Sequence, residues 1–380
     1  MNIKSKLNSS QTTIFTEMSA LASHHGALNL GQGFPDYDPP NTLLEIVKKT
    51  IDDHNHQYAP MAGNMALREI LAQKLLHTYG QYINPSTEIT ITAGATQAIF
   101  TAITAFIHKD DEVIILEPAY DSYRPSIELA GGKAVVYSME APDFEINWSI
   151  FAAKISHKTK MIIINTPHNP TGTILKPDDL IHLSRIVKNT DIIILSDEVY
   201  EHLIYDGQSH ESLLKYPELY QRCISIFSFG KTYHCTGWKV GYCVAPEYLM
   251  NEIRKVHQWN VFSVNSFVQH ALAIFMKDSS QYLGLNQFYQ RKRDFFLDIL
   301  KETRFLPLKS EGTFFQLCDY SKISDIDDVA FAKEMTIKYG VACIPISVFY
   351  SDQRQENLIR FCFAKTEGLL NAAGEKLKLV

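Results

Sequence analysis

Cysteine is scarce in this sequence, with 6 in 380 residues, and no two stand in a C-x-x-C or other zinc-like spacing. That argues against a disulfide framework or a small zinc module, and a chain of this length buries enough apolar surface to need neither. Cys223, Cys243, Cys318, Cys343 and Cys362 lie in or beside apolar runs, where a free cysteine packs as a small hydrophobe. A reducing compartment is expected. No apolar run approaches the roughly 18 residues a membrane helix requires. The first residues, MNIKSKLNSSQTTIF, lack the apolar core of a secretory signal. Positive charge is not in excess: 36 Lys and Arg stand against 42 Asp and Glu, a formal net charge of −6. This argues against nucleic acid or an anionic membrane as the main partner. Low-complexity tracts, charge blocks and short repeats are missing too. The expectation is a cytoplasmic globular protein of about two or three domains.

What is present is a succession of short β-branched runs. Glu88–Thr92 reads as a strand, Ala93–Thr96 as a turn and Gln97–Ile107 as an apolar helix. Further strand-like runs follow at Val113–Leu116, Lys160–Asn165, Ile192–Leu195, Cys223–Phe227 and Val240–Val244, with helical stretches such as Asp178–Lys188 between them. Continuous apolar runs alternating with helices predict a largely parallel sheet covered on both faces, a doubly wound α/β core. The ends of the chain differ. Ile14–Ala22 has the spacing of an amphipathic helix and runs into the turn-rich segment 31–40. Thr313–Leu317 and Leu358–Phe363 read as strands flanking a helix, Asp328–Tyr339, that Gly340 terminates, and a last helix starts at Thr366. The pattern predicts a large domain over 42–285 and a small α+β domain built from 1–41 and 286–380.

Ligands of open parallel sheets bind beyond the carboxyl ends of the strands. Three of the runs end in polar clusters there: Asn165-Thr-Pro-His-Asn-Pro-Thr-Gly172, Ser196-Asp-Glu-Val-Tyr200 and Ser228-Phe-Gly-Lys-Thr232. Each has a plain reading by itself. Asn169-Pro-Thr-Gly172 serves as a turn, Asp197 as a helix cap, and Lys231 as a surface lysine. Ser228-x-x-Lys231 also matches the S-x-x-K of penicillin-binding enzymes, but neither S-D-N nor K-T-G occurs. Gly31-Gln-Gly33 starts like a dinucleotide fingerprint and fails at Asp36. His54 and His56 lack a third metal ligand in sequence. No metal is expected.

In order, the clusters resemble the class I aminotransferases, fold-type I enzymes that use pyridoxal 5'-phosphate. The resemblance runs from Asn29-Leu-Gly-Gln-Gly-Phe-Pro-Asp36 through His56-Gln-Tyr-Ala-Pro-Met-Ala-Gly63, Asn165–Gly172, Ser196–His202, Gly230–Pro246 and Ile344–Tyr350 to Ile359-Arg-Phe-Cys-Phe-Ala-Lys365. Within the class it is most similar to the branch of methionine and kynurenine (glutamine) transaminases.

The resemblance implies a role for each matched residue. Lys231 is the amine that holds the cofactor and then moves a proton. Asp197 keeps the ring nitrogen protonated, because an opposite charge favours the cation. Tyr200 and Asn169 hydrogen-bond the ring 3'-oxygen, and Tyr120 stacks on the ring face. The phosphate falls to Ala95 and Thr96 at a helix N-terminus, with Ser228 and Lys239. Many relatives carry arginine where Lys239 stands; lysine keeps the charge without the two-pronged fork. Tyr58 reaches the phosphate from a neighbouring subunit, which implies a homodimer with a shared active site. Arg360 clamps the substrate carboxylate, helped by Gly33 and Asn169.

The side-chain pocket draws on Phe15, Phe34, Tyr58 and Phe262, aromatic residues that favour methionine or aromatic substrates over dicarboxylates. Kynurenine transaminases carry tryptophan at Phe15 and Phe-His at Phe262-Ser263, so this sequence leans to methionine. Cysteine-S-conjugate β-elimination is an alternative reaction of the same carbanion. A cofactor-sensing regulator fits poorly, since only about thirty residues precede the GQGFPD segment and no basic DNA-binding module appears. His168 and His234 flank matched residues.

Overall fold

Thirteen strands, among the residues that the computed structural model describes (5–7 and 13–380), form three sheets. β1 (Leu28–Asn29) pairs in parallel with β11 (Val341–Ala342), tying the N-terminal segment to the C-terminal one. Seven strands make the main sheet: β2 (Ile89–Thr92), β3 (Glu112–Glu117), β4 (Lys133–Ser138), β5 (Thr159–Asn165), β6 (Ile193–Asp197), β7 (Cys223–Ser228) and β8 (Gly241–Val244). Their order is β2-β8-β7-β6-β5-β3-β4. β4 through β7 form a parallel block with β3, and β8 runs antiparallel to both β2 and β7.

The continuous apolar runs are explained by two cores. Val113, Ile115, Met161, Ile163, Ile193 and Leu195 enter one face, against Ile99 and Ile103 of the helix Ala95–Phe106 and Leu249 and Ile253 of the helix Glu247–Asn260. Their neighbours Ile114, Leu116, Ile162, Ile164 and Ile194 enter the opposite core. Successive side chains point to opposite faces, so a strand buried on both sides is apolar throughout. Each such side chain contributes about 1.5–3 kcal/mol by leaving water.

The second sheet joins β9 (Leu306–Pro307), β10 (Phe315–Asp319), β12 (Ile344–Pro345) and β13 (Leu358–Cys362) in the order β12-β13-β10-β9, all antiparallel. Its central strand places Arg360 opposite Leu317 on one side and Ile344 on the other. Gly340 ends the preceding helical stretch at φ +68°, as expected, although residues 335–339 wind as a π turn after an α-helix Asp328–Glu334. Thr366 does precede the last helix, Glu367–Leu377. No helix among the described residues is long and apolar enough to cross a membrane.

Candidate active site

The three polar clusters meet because their strands are parallel neighbours in register. Asn165 at the end of β5 lies opposite Asp197 at the end of β6, and Asp197 lies opposite Ile226 of β7, two residues before Ser228. Beyond these ends is a cavity of about 280 Å³. Of the residues matched from sequence, Ala95, Thr96, Tyr120, Asn169, Asp197, Tyr200, Ser228, Lys231 and Lys239 line it from the main sheet, and Phe15, Gly33 and Arg360 from the chain ends.

One end of the cavity is built for an anion. The helix Ala95–Phe106 begins two residues earlier than the sequence suggests, directly after Gly94 at φ +80°, and no side chain caps its first turn. Its leading amides have no partner within the helix. The Lys239 ammonium lies beside Gly94, 3.4 Å from where a Cβ on that glycine would sit. Gly241 lets β8 approach: a Cβ there would lie 2.6 Å from the Phe227 carbonyl and 3.2 Å from the Ala95 nitrogen. The Thr96 and Tyr120 hydroxyls are 3.3 Å apart.

In the floor of the cavity Asp197 is 4% exposed. Tyr123 donates its hydroxyl to Asp197 Oδ2 at 2.7 Å, and the Val199 N–H donates to Oδ1 at 3.4 Å. Burial pushes the Asp197 carboxyl up to about 6, against the pull of the Tyr123 hydrogen bond. Asn165 links the two polar strand ends: its amide donates to the Asp197 carbonyl at 2.8 Å and its oxygen accepts from the Asn169 N–H at 2.7 Å. Tyr200 stands edge-on to Phe314 and Phe315, and burial holds its phenol far above the ordinary range.

Lys231 follows Ser228, whose hydroxyl accepts the Lys231 N–H at 3.4 Å. Its Nζ donates to the Gly33 carbonyl at 2.7 Å, so the turn-rich segment near the N-terminus reaches over the lysine. Burial pushes the amine down to about 8, with Arg360 and Lys239 adding to the effect and Asp197 opposing it. Arg360 is 1% exposed. Its Nη1 donates to Asn169 Oδ1 at 2.6 Å and its Nη2 to the Gly31 carbonyl at 3.2 Å, while Nε has no partner. The guanidinium stacks 3.8 Å from the Phe315 ring centre, with Phe15 and Phe349 each at 5.3 Å. Among the described residues Arg360 forms no salt bridge, although the Asp121 charge acts on it, and a buried cation so placed calls for an anionic ligand.

Tyr58, Phe34 and Phe262 do not join the cavity. Tyr58 is 82% exposed and packs edge-on against half-exposed Phe262 at 5.3 Å. His168 faces a second cavity of about 220 Å³ and, pushed down to about 3 by burial, is neutral; His234, pushed down to about 4, is bound to the Tyr289 hydroxyl through Nδ1 at 3.0 Å. Gln32, Asp121 and Phe315 also line the cavity, and Tyr123 supports it from outside the lining. Gln32 lies within the Gly31–Asp36 motif and Tyr123 stands three residues after Tyr120 at the start of the helix Tyr123–Leu129, whereas Asp121 and Phe315 have no distinguishing mark in sequence.

A family profile described as aminotransferase class I and II matches residues 26–377. The chain is 48% identical to methionine aminotransferase of Escherichia coli over 99% of its own length and 97% of the relative's. It is 34% identical to human kynurenine–oxoglutarate transaminase 1, covering 96% and 94% of the two chains. The crystal structure of YbdL from Escherichia coli, for which a methionine aminotransferase function was identified, superimposes with a TM-score of 0.97 at 47% identity, each chain covered in full. The cofactor of this family is pyridoxal phosphate, and the cavity fits it. Uncapped amides and Lys239 form an anion cradle at one end, a depressed amine faces the middle, and a buried carboxylate lies in the floor. With fold, cavity and family profile in agreement, the chain belongs to the class I and II aminotransferases, as an α/β transaminase dependent on pyridoxal phosphate.

Proposed function

We propose that the protein moves the α-amino group of an L-amino acid, methionine first and aromatic amino acids next, to a 2-oxo acid by a ping-pong mechanism. The observation that carries this reading is the set of charges around the cavity. Arg360 supplies one cation for an α-carboxylate, and the remaining cations, Lys231 and Lys239, face the cofactor positions. Among the described residues no further cation lines the cavity for a second carboxylate, and Asp121 on its wall repels one, whereas Phe15, Ile99 and Phe315 suit an apolar side chain. The 48% identity to a methionine aminotransferase supports the same preference, and the 34% identity to a kynurenine transaminase supports the alternative less well.

Bound pyridoxal phosphate supplies the electron sink that makes the substrate Cα proton removable. The chain's own residues then have distinct tasks. Arg360 and Asn169 orient the substrate by its carboxylate. Lys231 Nζ, once released from the Gly33 carbonyl, would act as the general base that takes the proton from the substrate Cα and as the acid that holds it for return. Asp197 in its anionic form would hold positive charge on the cofactor ring. Tyr200 and Asn169 donate to the ring oxygen, and Ala95, Thr96, Ser228 and Lys239 hold the phosphate. We further place the large domain at 42–285 and the small one at 1–41 with 286–380. The main sheet lies wholly inside the first range and β9 to β13 inside the second. A cytoplasmic homodimer completes the reading, supported by six free, buried cysteines and by the exposed Tyr58, Phe262 and Trp259.

The test is a panel of single-turnover assays with common amino acids. Methionine should give the highest kcat/KM, with phenylalanine or tyrosine close behind; aspartate or ornithine in the lead would overturn the preference. Borohydride trapping and peptide mapping should put the cofactor on Lys231, and label on another lysine would overturn the site.

A further inference from the structure

A buried carboxylate remains charged only if donors replace the water it has lost. Asp197 has two donors among the described residues. The Val199 N–H is at 3.4 Å, at the limit of a hydrogen bond, whereas the Tyr123 hydroxyl is at 2.7 Å, the length of a charge-assisted one. Lys231, the cation whose charge acts on Asp197, donates its Nζ hydrogen bond to the Gly33 carbonyl instead. Tyr123 is itself buried at 3% exposed, and its phenol is held well above the ordinary range by burial and by Asp197, so it is a donor at every working pH.

We propose that Tyr123 is a positioning residue for this reaction, holding the Asp197 carboxylate in its charged form and fixing the orientation of the oxygen that it contacts. The inference rests on the assignment of Asp197 to the cofactor ring. A tyrosine buried for packing alone needs an acceptor for its hydroxyl, and any free backbone carbonyl would serve. Tyr123 instead takes the carboxylate in the cavity floor. Its placement is shared with the ring-facing tyrosine: Tyr120 and Tyr123 meet edge-on at 5.6 Å, so the turn that sets the cavity wall also sets the donor beneath it. The titratable groups that face Asp197 are Tyr120 and Tyr123 from this turn, Lys231 from the helix Phe229–Thr232, and Glu198 and Tyr200 from its own strand end. Glu198 is engaged elsewhere, with His210 Nε2 at 2.7 Å.

Tyr123→Phe removes the hydroxyl and keeps the ring. In the holoenzyme it should raise the cofactor dissociation constant about tenfold or more, the scale of one hydrogen bond to a charged group. The acid limb of the kcat profile, and of the visible absorbance of the bound cofactor, should move up by about one pH unit, with KM within about twofold. Ser126→Ala, which breaks the buried Ser126 to Ser122 hydrogen bond in the same turn, controls for loosening of the helix and should move neither. Tyr123→His retains an N–H donor and should shift the limb by less than Tyr123→Phe. Should the phenylalanine variant not fold, the histidine variant against Ser126→Ala decides alone. Unchanged limbs and cofactor affinity in the Tyr123 variants, or equal shifts in Ser126→Ala, overturn the proposal. Asp197→Asn run in parallel separates the two failures: if that variant keeps wild-type cofactor affinity and activity, the Asp197 assignment itself falls.

Discussion

Arg360 Nη1 donates to Asn169 Oδ1 at 2.6 Å across 191 residues of sequence. The contact joins the central strand of the second sheet to the loop beyond β5. From Asn169 the hydrogen bonds continue through Asn165 to the Asp197 backbone. The group proposed to hold the substrate and the group proposed to hold the cofactor are therefore tied by one short chain of side-chain amides. Arg360 keeps Nε free and has aromatic rings against its faces, so an incoming carboxylate must approach in the guanidinium plane.

Replacing Arg360 by alanine should lower kcat/KM for methionine by about two to four orders of magnitude, the scale of about 3–5 kcal/mol for loss of one partner in a buried ion pair. Cofactor affinity should change by less than about threefold. Steady-state kinetics with cofactor titration distinguishes the two; an equal loss of both would place Arg360 at the cofactor instead.

Asp197→Asn should stabilise the cofactor-free chain while abolishing useful activity. The folded carboxyl titrates near 6, above the ordinary value of about 3.9, so the native state holds its proton more tightly than the unfolded state. Stability therefore falls as pH rises from about 4 to 6, and the cost, about 1–3 kcal/mol, is fully present at pH 8. Asparagine keeps an acceptor for Tyr123 without the charge. Denaturant unfolding of the cofactor-free proteins at pH 5 and pH 8 should show a gain for the variant that is larger at pH 8.

Lys231 should react as an amine through a midpoint near pH 8. An unfolded lysine binds its proton up to about 10.4, so between these values the unfolded state carries more protons and the stability of the cofactor-free chain rises with pH. Reductive alkylation with formaldehyde, followed by peptide mapping, gives the site-specific rate. A midpoint near 10.5 at Lys231 would contradict the burial argument.

Gly241→Ala should both weaken cofactor binding and destabilise the fold by about 1–3 kcal/mol, the usual cost of overpacking. The added Cβ would meet the Phe227 carbonyl at 2.6 Å and the Ala95 nitrogen at 3.2 Å, pressing β8 against the strand beside it and the anion end of the cavity. Chemical denaturation and equilibrium dialysis measure the two losses. Gly237→Ala, where no atom lies within 4 Å of the new Cβ, serves as the neutral comparison.

Tyr58 and Lys231 variants should complement each other if the active site is shared. A mixed dimer of Tyr58→Ala and Lys231→Ala subunits has one site carrying both changes and one carrying neither. Activity on mixing the two should exceed the sum of the separate variants and approach about a quarter of wild type, since random pairing makes half the dimers mixed and each mixed dimer has one intact site of two. No gain on mixing would place Tyr58 outside the partner's site.

Much of this was legible beforehand because it is locally encoded. Runs such as Ile162–Ile164 are apolar at every position, which only a strand buried on both faces requires, and Gly340 ends its helix through its positive φ. Other elements left weaker marks. β4 is an edge strand with partly exposed residues, so its Lys133–Ser138 run did not stand out. The helix at Ala95 starts early because Gly94 replaces a side-chain cap, which removes the usual marker. The antiparallel course of β8 has no signature in its own residues.

The residues along the chain were enough to determine most of the main sheet's strands, the three polar strand ends and the family, since each depends on residues close together in sequence. Only the tertiary structure decided who meets whom. It set Tyr123 under Asp197, wrapped Arg360 in Phe15, Phe315 and Phe349, laid the Gly33 carbonyl on Lys231, and left Tyr58 and Phe262 outside the cavity. Those contacts depend on strand order and register, and an apolar run that specifies its own burial carries no record of the strand beside which it will lie.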